Sequence, residues 1–95
     1  MSSETPPPIT HNTDLQRFES EMDGSFAVLE YSMQGDKVSF DHTFVPPVFR
    51  GKGMGAALVR TALTEARARG WKVIPRCSFV ADFIRGHPEF SDVLG

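Results

Sequence analysis

The run Arg50-Gly51-Lys52-Gly53-Met54-Gly55 sets three glycines two residues apart, with two cations interleaved. Glycine has no Cβ, so its backbone N–H groups can come close to a ligand. If such a run opens a helix, the unpaired first-turn N–H groups and the positive helix end add to the attraction. The guest this chemistry suits is a phosphate, with Arg50 and Lys52 supplying charge. Each glycine at a helix start weakens the helix by about 1 kcal/mol relative to alanine, so a cluster of them calls for a ligand. The spacing excludes two familiar loops. No Gly-Lys-Ser/Thr ending of a nucleotide P-loop is present, and glycines at every second position do not fit Gly-x-Gly-x-x-Gly.

Two further side chains have reactive chemistry. His42 falls near the end of an alternating run, and Cys77 stands two residues after Pro75, at the entry to a last amphipathic stretch. A cysteine at a helix N-terminus has a depressed pKa, and a neighbouring imidazole depresses it further. The two together would make a nucleophile and its base. Taken singly, a histidine on an apolar strand face is more often a core residue, and a lone cysteine a small buried hydrophobe.

These residues need elements to position them. Strands over 15–22 and 26–33 flank Asp23-Gly24, a strong hairpin signal because both residues tolerate positive φ. A turn at Gln34-Gly35-Asp36 leads to a third strand, 37–44, where Val38, Phe40, His42 and Phe44 are expected on one face. Pro46 and Pro47 end it. A helix is expected from about Gly53 to Arg69, with Leu58, Val59, Ala62, Leu63 and Ala66 on one side and Gly70 as its cap. Trp71 to Pro75 reads as a short strand and Ser78 to Arg85 as a second helix. Strand 37–44, helix and strand 71–75 form a crossover unit, so the two strands run parallel and finish at one sheet edge, where α/β folds hold ligands. The fold class is therefore α/β (α+β), an antiparallel meander leading into strand–helix–strand and a short last helix.

The bulk numbers fit one small domain of 95 residues, 40% hydrophobic and 23% charged,. Residues 1–13, with Pro6, Pro7 and Pro8, read as a disordered tail, and 14–95 as the single domain. Residues 1–49 carry two Lys or Arg against eight Asp or Glu, and residues 50–95 carry eight against four. The basic half suits a polyphosphate and the acidic half an amine. A net charge of −2 argues against nucleic acid,, and no apolar run has the length of a membrane span. With one cysteine there is no internal disulfide and no zinc spacing, so no metal is expected. A reducing, cytoplasmic setting is the matching expectation.

The pattern Arg50-x-x-Gly53-x-Gly55, after a meander and opening an amphipathic helix, resembles the acyl-CoA loop of the general-control-related N-acetyltransferase (GNAT) superfamily. Further blocks in order are His42-Thr43, Val45-Pro46, Ala66-Arg67-x-x-Gly70, Pro75-x-Cys77-Ser78-Phe79-Val80 and His87-Pro88-Glu89. Together they resemble the minimal YjdJ-like subgroup over roughly residues 15–94. The resemblance implies acetyl-CoA as co-substrate and acetyl transfer to an unknown amine, a small molecule or a protein lysine. It implies a cofactor-binding set of Phe44, Val45, Arg50, Gly51, Lys52, Gly53, Met54, Gly55 and Phe79, and Cys77 with His42 as the catalytic pair. Two routes stay open: Cys77 takes the acetyl group with His42 as base, or His42 deprotonates an amine that attacks the thioester directly. The subgroup lacks the N-terminal helices that cap the acceptor site in larger relatives. The alternative is thus a non-catalytic acyl-CoA-binding module that acts with a partner protein.

Overall fold

Residues that alternate in polarity and turns that accept positive φ build the first half of the molecule. A computed structural model describes residues 7–95. Strands β1 (Thr10–Asn12), β2 (Arg17–Met22), β3 (Ser25–Gln34) and β4 (Lys37–Phe44) pair as an antiparallel meander. Asp23 and Gly24 take φ of 52° and 79° at the β2–β3 turn, the positive values that match the twist of a tight hairpin. Strand β5 (Lys72–Pro75) pairs parallel to β4, from Lys37↔Lys72 to Phe40↔Pro75, so the sheet order is β1-β2-β3-β4-β5.

The expected tail needs a correction. Residues 1–6 lie outside those described, but Thr10–Asn12 form β1 and pair with Arg17–Glu19. The strand is held by more than its ladder: His11 stacks on Phe18 with ring centroids 4.2 Å apart and shares a 2.6 Å hydrogen bond with the Tyr31 hydroxyl.

Helix α1 (Met54–Arg69) crosses one face of the sheet and buries Met54, Leu58, Val59, Ala62, Leu63 and Ala66. They pack against Phe18, Leu29, Tyr31, Phe40 and Val73 in one core. Gly70, at φ 73°, ends the helix, and its N–H reaches the carbonyls of Ala66 and Arg67. Helix α2 (Ser78–Gly86) adds Val80, Phe83 and Ile84, and a 3-10 segment, Pro88–Val93, adds Phe90 and Val93. Arg67 ties this segment down, donating to Asp92 at 2.6 Å and to the Glu89 carbonyl at 2.7 Å. His87-Pro88-Glu89 closes α2: His87 stacks on Phe83, and its Nδ1 lies 2.8 Å from the Phe83 carbonyl oxygen.

One irregularity decides what the site looks like. Tyr31 pairs with Phe40 but Glu30 pairs with His42, so Asp41 is an extra residue in β4. A bulge of this kind reverses the facing of everything beyond it. Thr43 therefore pairs with buried Leu29, while His42 pairs with exposed Glu30 and is itself exposed. The expectation that His42 and Phe44 share the face of Val38 and Phe40 is overturned by this single residue.

Candidate active site

Strands β4 and β5 separate where their ladder ends. Phe40↔Pro75 is the last pair, and the Cys77 N–H then donates to the Phe40 carbonyl at 2.8 Å. Beyond this point β4 runs on to Phe44 while the other chain turns away into α2, and the two diverge as a fork. The edge of β4 that faces the fork has no further ladder partner, which leaves backbone groups that a ligand could pair with.

A cavity of about 500 Å³ lies in the fork. Thr43, Val45 and Phe49 line it together with Arg50, Gly51, Gly53, Met54, Gly55 and Ala56 of the loop and first turn, and Phe79 of α2. The glycine loop is built by conformation as much as by openness. Gly51 and Gly53 sit at φ of 78° and 66°, where an L side chain is strained,. Both precede α1, so only Gly55 is a helix residue, and the helix starts at Met54 rather than Gly53. Gly55 has a different reason: a Cβ there would stand 2.9 Å from the tip of the Phe79 ring. The first turn of α1 has no side-chain cap and no acidic residue. Its N–H groups have no intrahelical acceptors and lie beside the exposed Arg50 at the cavity wall, a good setting for an anion.

At the fork, the Cys77 sulfur lies 3.4 Å from the Thr43 hydroxyl. Burial pushes the thiol pKa up, but the Thr43 hydroxyl and then the N–H groups of Val80, Phe79 and Thr43 outweigh it, so the net shift is downward. No side-chain cap bond closes at Cys77, so the α2 amides act on the sulfur at longer range. Hydroxyl and amide donors around a thiol favour its thiolate form.

The structure thus brings together most of the expected set. Val45, Arg50, Gly51, Gly53, Met54, Gly55 and Phe79 line one cavity, and Cys77 joins them through Thr43. Lys52 is exposed and outside the lining, and Phe44 pairs with Val28 on the far face, half exposed. His42 does not share a face with Thr43, the residue that partners Cys77. Thr43 was missed because the apparent alternation of 37–44 assigned it to the polar face. Its only sequence signal is the run Asp41-His42-Thr43 just ahead of the proline pair, polar where a simple strand would place a core residue. Among the described residues no group of three His, Cys, Asp or Glu side chains could hold a metal, and no helix is long and apolar enough to cross a membrane.

Comparison with known proteins agrees with this architecture. The Staphylococcus aureus GCN5-like protein whose solution structure was determined by NMR superposes with a TM-score of 0.76, covering 96% of this chain and 90% of that one at 23% identity. Protein NATD1 of Xenopus tropicalis is 28% identical over 83 residues, 84% of this chain and 76% of that protein. The sequence model of the GCN5-related N-acetyl-transferases matches residues 17–93, which take in β2 to β5, the glycine loop, the fork and both helices. The chain belongs to the GCN5-related N-acetyltransferase family, a family of acyltransferases.

Proposed function

We propose that this protein transfers an acetyl group from acetyl-CoA to an amine, with Cys77 at the point of transfer. The observation that carries the reading is the fork cavity, which is lined by the glycine loop and by Thr43, whose hydroxyl lies 3.4 Å from the Cys77 sulfur. Gly51, Gly53 and the first-turn amides of α1 would hold the pyrophosphate, with Arg50 and Lys52 as its countercharges. The free edge of β4 around Phe44 and Val45 would hold the pantetheine amides. When bound, the co-substrate supplies an acyl carbon already activated as a thioester.

Cys77 then receives the acetyl group: its sulfur bonds to the acyl carbon as the thiol of CoA leaves, and the proton lost by Cys77 ends on that thiol. Exchange between two thioesters is nearly balanced in energy, so little driving force is needed. An amine next forms the C–N bond and the bond to the Cys77 sulfur breaks. Thr43, rather than His42, stabilises the Cys77 thiolate. His42, on the open face, is free to take the amine's proton. A reducing cytoplasm would keep Cys77 as the thiol this route requires.

Titration of the ¹⁵N-labelled protein with acetyl-CoA should shift the amides of residues 51–56, and mass spectrometry should then find one acetyl group on Cys77. No shift at millimolar acetyl-CoA removes the reading. Binding with no acetyl transfer to any amine leaves the acyl-CoA-binding module in its place.

A further inference from the structure

Helices α1 and α2 pack on one face of the sheet and leave a polar basin on the other. This basin, of about 430 Å³, is lined by Ser32 of β3, by Lys37, Ser39 and Asp41 of β4, and by Ile74 and Arg76 at the end of β5. Asp41 is the bulge residue, and its carboxylate is fixed from two sides. The Ser32 hydroxyl donates to one oxygen at 2.9 Å and the Ser39 hydroxyl to the other at 2.5 Å. Each oxygen keeps a lone pair for a further donor. Lys37 and Arg76 have no carboxylate within ion-pair reach among the described residues. The basin therefore holds one oriented anion and two unmatched cations, over the apolar side chain of Ile74.

Its location links it to the fork. Asp41 lies between Phe40, the last residue of β4 paired with β5, and His42. Arg76 immediately precedes Cys77. The donor cavity and the basin are thus on opposite sides of the same strand separation. We infer that the basin is the acceptor site, and that the acceptor is a small amine bearing an anionic group, an amino-acid-like zwitterion. Its ammonium meets Asp41 and its anion meets Arg76 and Lys37. A plain alkylamine leaves both cations unmatched. The inference rests on the acetyl-transfer reading for its chemistry: the ammonium gives one proton to His42, the amine nitrogen bonds to the acetyl carbon as the thioester C–S bond breaks, and the second proton lost by nitrogen ends on the sulfur, which leaves as a thiol.

The test uses the full chain with ω-amino acids from glycine to 5-aminopentanoate, against butylamine. Amide shifts of Ser39, Asp41 and Arg76 report binding, and release of free thiol from acetyl-CoA reports transfer. At least one amino acid should shift those amides and be acetylated about tenfold more efficiently than butylamine, the worth of one charge-assisted hydrogen bond. Arg76→Ala should erase that preference while leaving the acetyl-CoA shifts at 51–56 intact, and Lys37→Ala on the exposed hairpin repeats the test if Arg76→Ala fails to fold. Equal use of butylamine, a preference that survives both variants, or no shift with any amino acid overturns the inference. Loss of the acetyl-CoA shifts in the unaltered protein sinks the donor reading instead, and amino-acid shifts at Asp41 and Arg76 still decide the basin.

Discussion

Thr43 and Cys77 show how one contact sets reactivity at the fork. Burial alone would raise the thiol pKa, and the Thr43 hydroxyl is the largest opposing influence. Thr43→Val keeps the shape and removes the donor, so the pKa rises and the rate of Cys77 alkylation by iodoacetamide, followed against pH, moves to higher pH. An unmoved profile would mean that the α2 amides alone hold the thiolate. Two glycines of the loop separate in the same way. Gly53→Ala places a Cβ at φ 66° and should cost about 1–2 kcal/mol of stability, the penalty of the left-handed region for an L residue. Gly55→Ala gains helix propensity but drives the Phe79 ring from its place,. Because that ring is 43% exposed and can swing outward, the expected result is near-native stability in urea with weakened acetyl-CoA binding.

Among the elements, β4 carries the information that the sequence conceals. The hairpins were legible because Asp23-Gly24 and Gly35-Asp36 state their turn geometry locally, and α1 because its apolar residues recur at helical spacing and Gly70 ends it. Loop glycines and Cys77 were legible for the same reason, as residues next to element boundaries. The bulge was not, since Val38, Phe40, His42 and Phe44 alternate as well as any regular strand does. An extra residue within a strand leaves no local signature; its partner strand decides where it goes, and here Tyr31 and Glu30 do. Deleting Asp41 tests that account. The pairs Tyr31↔Phe40 and Glu30↔His42 become consecutive, so the meander still folds, but the bend that a bulge gives its strand, here beside the fork, is lost,. Acetyl-CoA should then no longer shift the amides of residues 51–56, while amide dispersion stays native; retained binding would mean that the fork does not need the bulge.

At the scale of the whole molecule, His11 joins the first strand to the opposite end of the core. Its ring lies between Phe18 and Trp71, Nε2 bonds to the Tyr31 hydroxyl, and Nδ1 faces Glu65 of α1, which is itself paired with Arg69. The 3.8 Å from Nδ1 to Glu65 is too long for a hydrogen bond, so Nδ1 is buried without a partner. This cluster explains why β1 escaped a reading of local pattern. Thr10-His11-Asn12 has neither the length nor the alternation of a strand, and what orders it are contacts with residues 18, 31, 65 and 71. Burial first and Arg69 second push the His11 pKa below 6.5, against the weaker pull of Glu65. The folded state then binds fewer protons than the unfolded chain, so stability rises with pH through this window. The contribution is fully present above pH 6.5 and is lost as pH falls through the lower folded-state value. Thermal melts from pH 7.5 to 5.5 should therefore show a falling Tm. His11→Phe keeps the stacking on Phe18 but removes the titration and the Tyr31 partner. It should lower stability at pH 7.5 by the worth of one hydrogen bond, about 1 kcal/mol, and flatten the decline of Tm toward acid. A slope unchanged in His11→Phe would assign the acid sensitivity to another group and leave β1 held by stacking alone.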